Sequence, residues 1–534
     1  MRNVHKTLTL LGLIAFGAAA QGVACANTSE DCALNGEACP GQTPTTSSSG
    51  TGGGGGGGAL CDQHPKDNPA AVSDECGVFV KSGAAGGEGT KESPLGTVQA
   101  ALAKATELSK KRVYACMGTF TETVTVPAGI SLFGGLDCEN GWAVSDQRST
   151  LKGTADKIPL RLKGDGASET RVEAWNVEAV DATTLGGSSI AAIAEDTAVV
   201  RFESTSLTAG RGADGVDGES ASSMAPPQPL KSADGSPACT TANDNPGGIY
   251  NLNTCESEVP DMPWSSYGGD GGNGKVLVGA AGQPGQADPV PAEPGGTGGQ
   301  PGVANCADNG DGGDGADGRN GDPGMGGTGN GMLSVELGHI GANGGDGKRG
   351  LPGQGGGGGG GQKGKMAMPP TKPTTCAGAS GGAGGAGGCG GLGGKGGIAG
   401  GSSIALVSIN ATVSMVGVKL TSRKGGSGGD GGSSQPGALG GLGGVGGIGM
   451  TVELVTMYEA CDGGDGGNGG HGGPGGGGSG GHSIGIAYTG AAPTVDMTTF
   501  DIPADGGGMG GTGGDGNVLD NAGADGQAKE TLEI

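Results

Sequence analysis

The sequence predicts an all-β protein whose short strands stack in coils and are interrupted by glycine-rich insertions. Three observations predict it. Apolar residues occur in short islands that alternate at period two, the pattern of strands. Cys116 and Cys138 stand 22 residues apart, about one coil of stacked strands. Equivalent residues of successive coils lie ~4.8 Å apart, inside the roughly 4.4–6.8 Å Cα separation that a disulfide accepts. The glycines, 131 of 534 residues, gather in blocks with an internal period of three.

The N-terminus reads as an address. "MRNVHK" is basic, "TLTLLGLIAFGAAA" apolar, and "QGVACA" small, the three parts of a secretory signal peptide over residues 1–24. The apolar run is shorter than the about 20 residues needed to span a bilayer. "GVAC", ending at Cys25, resembles a bacterial lipoprotein box, although Gly22 stands where an aliphatic residue is usual. Lipidation of Cys25 removes one of 13 cysteines and leaves a set that can pair completely. Cleavage near Ala20 or Ala26 is the alternative. Residues 25–60, with "PGQTPTTSSSGTGGGGGGG", form a tether by composition. In an exported chain the remaining cysteines read as disulfides, and none has CxxC metal spacing.

An N-terminal region over 61–208 opens with "GVFV", a short strand. "SPLGTVQAALAKATELSKK" follows as an amphipathic helix. Ser93 is its expected N-cap, Pro94 its first residue, and Val98, Leu102, Ala105 and Leu108 its apolar stripe. Strands are expected at Val113–Ala115, Val124–Val126 and Ile130–Phe133, between Gly and Pro punctuation. Trp175, within "RVEAWNVEAV", is expected in the core of the stack.

From Gly187 the chain repeats. "GSSIAAIAEDTAVVRFESTSL", "GSSIALVSINATVSMVGVKL" and "GHSIGIAYTGAAPTVDMTTFDI" begin at Gly187, Gly401 and Gly481. They align with Val200, Val413 and Val495 equivalent, then Phe202, Met415 and Met497, then Leu207, Leu420 and Ile502. A second pair is "GMLSVELGHIG" from Gly331 and "GMTVELVTM" from Gly449. Glycine blocks follow these islands through the second region, 209–534.

"GGAGGAGGCGGLGGKGGIAGG", from Gly381 to Gly401, shows the period most clearly: two glycines and a variable residue X. Proline is scarce there and the triplets break register, which rejects collagen. GGX fits a polyproline-II-like helix with three residues per turn. Its two bare faces let neighbours exchange backbone hydrogen bonds, while X faces outward.

"GTKESPLGTVQAAL", "VYACMGTFTETVTVPAGISLFGG" and "RVEAWNVEAV" together resemble the start of secreted pectin-lyase-like proteins. That resemblance implies a right-handed parallel β-helix whose first coil is capped by the helix. The GGX blocks are similar to those of PGRS-type glycine-rich proteins and to the polyglycine-II bundles of some adhesins and antifreeze proteins. It implies ordered glycine bundles on a Gly-rich surface lipoprotein of the kind common in myxobacteria.

The formal net charge of −24 disfavours nucleic acid and an anionic membrane surface as partners, leaving a lipid anchor as the membrane link. "GGDGAD" at Gly312–Asp317, "GGSGGD" at Gly425–Asp430 and "GGTGGD" at Gly510–Asp515 match the first part of a calcium-binding nonapeptide. The apolar position is missing and the units are not in tandem, so Ca²⁺ stays a minor reading and no cofactor is expected. "GHG" at Gly470–Gly472 resembles one polygalacturonase motif, without that family's Asn-Thr-Asp or paired carboxylates. No nucleophile or acid–base pair is spaced for catalysis. The loop "DMPWSSYGG" offers Trp264 and Tyr267 as a contact site, with Cys239 and Cys255 stapling it. The reading is a non-catalytic, exported cell-surface structural or adhesive protein. Its expected partners are extracellular polysaccharide or other surface components. A polysaccharide-cleaving β-helix enzyme and a calcium- or ice-binding repeat are the alternatives.

Overall fold

The computed structural model describes residues 60–257, 263–288, 295–302, 306, 308–366, 375–452, 455–516 and 520–534. The signal peptide, Cys25 and nearly all of the tether lie outside the described residues. The chain is mostly β, and three long sheets run through it. The first orders Val78–Val80, Arg112–Cys116, Ser131–Asp137, Glu169–Glu173, Val199–Glu203, Thr412–Val416 and Thr494–Asp496, all parallel. The second orders Thr119–Thr121, Ser149–Lys152, Trp175–Glu178, Ser206–Thr208, Lys419–Thr421 and Thr499–Asp501. The third orders Val124–Val126, Leu160–Lys163, Ser189–Glu195, Ser403–Ile409, Ser483–Thr489 and Ala528–Glu533.

Successive strands of the chain visit the three sheets in turn, so equivalent residues stack in ladders. Val113, Leu132, Val172, Phe202, Met415 and Val495 form one ladder; Phe120, Leu151, Val177, Leu207, Leu420 and Phe500 form another. Except for Val495, which is exposed on the last coil, these side chains meet in one elongated core, with Phe500 packed against its end. Trp175 sits in it, 1% exposed, with its ring 5.9 Å from Phe120. Both 61–208 and 209–534 contribute strands to all three sheets.

The expected strands are present, and Cys116 bonds Cys138 with their Cα atoms 5.4 Å apart. The third repeat corrects the alignment. Val495 opposes Met415, not Val413, and Leu420 opposes Phe500, not Ile502. Ile404 opposes Ile484, so one offset of 80 residues holds throughout this coil. Matching by apolar identity alone slid the later strands by two, a shift that preserves side-chain facing. The segments after Gly331 and Gly449 are not coil strands. Met332–Ser334 with Gly338–Ile340, and Met450–Val452 with Val455–Met457, are antiparallel hairpins.

The helix spans Val98–Glu107 and its N-cap is Thr97, whose side chain accepts from Ala100 N. Ser93 and Pro94 fall outside it. Leu95 is held extended instead, because its N–H donates to Phe79 O and its carbonyl accepts from Lys81 N. Glu122 accepts from Val98 N and Gln99 N, placing a carboxylate on the helix's positive end. Leu108 is the C-cap and is exposed rather than part of the stripe.

The glycine blocks hold a regular lattice. Gly382, Gly385, Gly388, Gly391, Gly394, Gly397 and Gly400 donate in turn to the carbonyls of Cys461, Gly464, Gly467, Gly470, Gly473, Gly476 and Ser479. Their own carbonyls accept, in reverse order, from a second segment: Gly359 N to Gly382 O, Gly356 N to Gly385 O, Gly353 N to Gly388 O. A third segment donates from Ala438, Gly441 and Gly444 to Cys389, Ala386 and Ala383. Every third residue thus faces the same neighbour, the periodicity of a threefold helix.

The X positions correct one expectation. Ala383 and Ala386 are fully buried and Cys389 nearly so, whereas Leu392 and Ile398 of the same block are exposed. The strands Leu252–Cys255 and Trp264–Tyr267 cover Ala386 and Cys389, while Ala383 lies against the segment of Ala233, to whose carbonyl its N–H donates. Asn253 Nδ2 donates to Gly387 O at 2.9 Å, and Gly387 N donates to Ser266 Oγ at 2.9 Å. Only small X residues fit beneath that cover.

Candidate functional site

The expected contact residues Trp264 and Tyr267 lie on one strand of a small antiparallel sheet. Leu252–Cys255, Trp264–Tyr267 and Gln286–Asp288 pair with Leu252 opposite Tyr267 and Tyr267 opposite Gln286. Strand alternation sends alternate residues to opposite faces. Asn253, Cys255, Trp264 and Ser266 share the face toward the glycine lattice; Ser266 is fully buried and Cys255 is 3% exposed. Leu252, Thr254, Ser265 and Tyr267 share the other. Trp264 and Tyr267 therefore do not form one surface, because three is an odd number of strand steps.

The outward face gains a residue that the sequence reading missed. The Tyr250 ring lies 5.3 Å from the Tyr267 ring, and the planes meet at 39°. Tyr250 is 39% and Leu252 61% exposed. The Tyr267 hydroxyl donates to Gln286 Oε1 at 2.8 Å, which fixes its ring, and Tyr250 N donates to Asp270 Oδ1. The result is a tyrosine pair beside an aliphatic residue, with the Gln286 amide at its edge. Alternation in "IYNLNTC" was the available signal.

Cys239 and Cys255 staple this region, but not to each other. Cys239 bonds Cys376 and Cys255 bonds Cys389, each tying a chain segment to the central glycine block. Cys61–Cys76 and Cys306–Cys461 complete five bonds among the described residues.

The acidic residues have a structural use. On the lattice surface, Asp311, Asp314 and Asp317 accept from the backbone N–H of Asp462, Asp465 and Asn468 at 2.9, 2.8 and 2.7 Å. Asn320 does the same for His471, the residue of the "GHG" match. Asp462 and Asp465 in turn accept from Gly446 and Gly443. A rim segment has N–H groups with no neighbour on their outer side, and an exposed N–H pairs with the adjacent carboxylate. Asp430 and Asp515, from the calcium-like matches, accept from Thr512 N and from Ser434 N and Oγ. Lys231 beside Asp234, and then Val445 N, hold the Asp234 carboxyl below its usual range.

Two clusters carry metal-type donors. Cys306, Asp311 and Cys461 lie together, but the sulfurs are joined in a disulfide and cannot ligate as thiolates. His64, Glu173 and Glu203 bring three donor atoms together. Glu173 is already paired with His64 Nε2 at 2.7 Å and Lys66 at 2.8 Å, and Glu203 with Arg171 and Arg201. Burial alone would raise Glu203, but Arg201, Arg171 and His64 outweigh it and hold the carboxyl low. This network clasps the Cys61–Cys76 segment onto the first sheet.

His339 and His482 form a buried pair, ring centroids 5.5 Å apart. Each donates from Nε2 to the Asn330 carbonyl, at 2.8 and 3.2 Å, and His482 Nδ1 accepts from Gln527 N, which fixes that ring as the neutral Nε2–H tautomer. Burial lowers both, His339 to about 4. The unfolded ring titrates near 6.5, so below that pH the unfolded chain binds protons that the native pair refuses. Stability from this pair is complete above about pH 6.5 and is lost as pH falls toward 4, by about 3 kcal/mol for His339 alone. Urea midpoints at pH 7.5 and 4.5 check this; replacing His339 with Gln should flatten the difference.

No protein-family model matches the chain, and no curated protein is similar to it.

Proposed function

We propose that this is a non-catalytic, exported structural or adhesive protein of a bacterial cell surface, similar to PGRS-like glycine-rich lipoproteins. Its three parallel sheets are read as a right-handed β-helix of the pectin-lyase-like kind, and its lattice as a polyglycine-II bundle. The observation that carries the reading is the tyrosine face on a stapled, backbone-bonded scaffold. Tyr250, Leu252 and Tyr267 offer an amphipathic stacking surface with the Gln286 amide beside it, which suits the apolar faces and hydroxyl edges of sugar rings. The Cys255–Cys389 bond holds that sheet to the lattice, so the face is preorganised. Carboxylates committed to backbone N–H groups support a scaffold reading over an acid–base one.

Binding to insoluble polysaccharides tests it. Tyr250→Ala with Tyr267→Ala should weaken retention of the full chain about tenfold or more, roughly 1.4 kcal/mol. Leu392→Ala, exposed elsewhere, should not. Equal retention of all three proteins refutes the glycan-contact reading.

Export and anchoring are tested separately. Ten cysteines pair among the described residues, leaving Cys25, Cys32 and Cys39. A lipid on Cys25 lets the last two pair. Mass spectrometry of the native protein should find an N-terminal diacylglyceryl Cys25. An unmodified start at Gln21 or Asn27 excludes the anchor. No helix of the described residues is long and apolar enough to cross a membrane.

A further inference from the structure

The segment "GALGGLGGVGGIG", Gly437 to Gly449, carries large aliphatic X residues where its neighbours carry Asp, Asn or Ala. Leu439, Leu442, Val445 and Ile448 are 62%, 53%, 51% and 65% exposed. A threefold helix returns to the same face every third residue, so these side chains stand in one straight row about 9 Å apart. The intervening residues are held inside: Ala438, Gly441, Gly444 and Gly447 donate to Cys389, Ala386, Ala383 and Ser380. Met450 and Val455, in the hairpin that follows, and Tyr458 beyond it are also exposed. A contiguous apolar strip of this size on a chain so rich in small polar residues marks an interaction surface.

What flanks the row selects its occupant. Asp462 and Asp465 lie along one side, each bonded through Oδ1 to the backbone N–H of a ridge glycine, at 2.7 Å to Gly446 and 2.8 Å to Gly443. Asp311 and Asp314 stand one row farther out, bonded to Asp462 N and Asp465 N. For these four carboxylates the second oxygen has no hydrogen-bond partner among the described residues. On the other side Asp234 accepts from Val445 N at 2.7 Å and pairs with Lys231 at 2.6 Å. An aliphatic ridge flanked along one side by acidic rows complements a segment that is apolar on one face and cationic at its margin. It repels anionic polymers. A second copy of this chain, with a net charge of −24, would bring like charges together.

We propose that this ridge docks a basic amphipathic polypeptide segment of another protein. The partner's aliphatic side chains enter the gaps between Leu439, Leu442, Val445 and Ile448. Its Lys or Arg side chains reach the Asp462/Asp465 and Asp311/Asp314 rows. The surface is distinct from the tyrosine face, and the proposal stands whether or not that face binds glycans.

Fluorescence anisotropy with the full chain tests it, using a labelled helical peptide of Leu and Lys. A Lys/Ser peptide of equal charge and a Leu/Glu peptide are the comparisons. The Leu/Lys peptide should bind at least tenfold more tightly than either. Leu442→Ser with Val445→Ser changes only outward side chains and should cost tenfold or more. Asp462→Asn with Asp465→Asn keeps an acceptor for Gly446 and Gly443 while removing charge; it should weaken binding and flatten its salt dependence. Asp214→Asn with Asp217→Asn, on carboxylates that cap Ser427 and Asp430 instead, should change neither. Equal binding of the Lys/Ser peptide, or an unaffected Leu442→Ser/Val445→Ser protein, overturns the proposal. So does a concentration-dependent dimer in sedimentation that those serines abolish, since it would make a second copy the occupant.

Discussion

Gly384→Val should collapse the central glycine block. A Cβ at this position would fall inside the contact distance of the Gly356 carbonyl oxygen and carbon. Neither can retreat, because Gly356 N donates to Gly385 O and Gly384 N to Gly269 O, fixing both segments. Overpacking by side chains usually costs about 1–3 kcal/mol; here the obstacle is backbone, so the cost should be on the order of 3 kcal/mol or more. Hydrogen exchange is the measurement. Amides of 381–400 should be protected in the unmutated protein, because their bonds run between segments. They should exchange rapidly in the variant. Leu442→Val, on an exposed X position, is the control and should leave protection intact. Ala386→Val would not serve, since Ala386 is buried beneath Asn253 and Ser266.

Removing the Cys255–Cys389 bond should be nearly as damaging, and local. The bond closes 134 residues, a separation for which a lost disulfide typically costs about 2–5 kcal/mol. Cys255→Ala with Cys389→Ala should release Leu252–Cys255 and Trp264–Tyr267 from the lattice and open Ala386 to solvent. Exchange at 250–267 and 381–391 should rise, while the three long sheets stay protected. Quasi-one-dimensional stacks lose order locally because each layer contacts only its neighbours. Unchanged exchange at 381–391 would show that the cover is held without the bond. The glycan retention proposed for the tyrosine face should be lost with it, which ties this prediction to the one on Tyr250 and Tyr267.

Much of the architecture was legible in the residues. Period-two islands marked the strands, and the 22-residue spacing of Cys116 and Cys138 marked one coil, because both follow from local geometry. The triplet period of the glycine blocks likewise implied a threefold helix and backbone bonding between segments, as the ordered donors from Gly382 to Gly400 display. Other features were decided only in three dimensions. Ala386 and Leu442 occupy the same place in the same GGX pattern, yet one is enclosed and the other exposed. A bare glycine helix is locally identical at the centre and at the rim of a bundle; burial depends on how many segments surround it. Those neighbours come from residues such as 356, 464 and 441, which no local pattern ties to 385 or 386. The disulfide partners Cys239–Cys376 and Cys255–Cys389, and the meeting of Tyr250 with Tyr267, follow from the same long-range packing. The sequence by itself determined the periods, three for the glycines and two for the strands. Tertiary structure decided which face of each period meets water, because facing is set by neighbours rather than by backbone geometry.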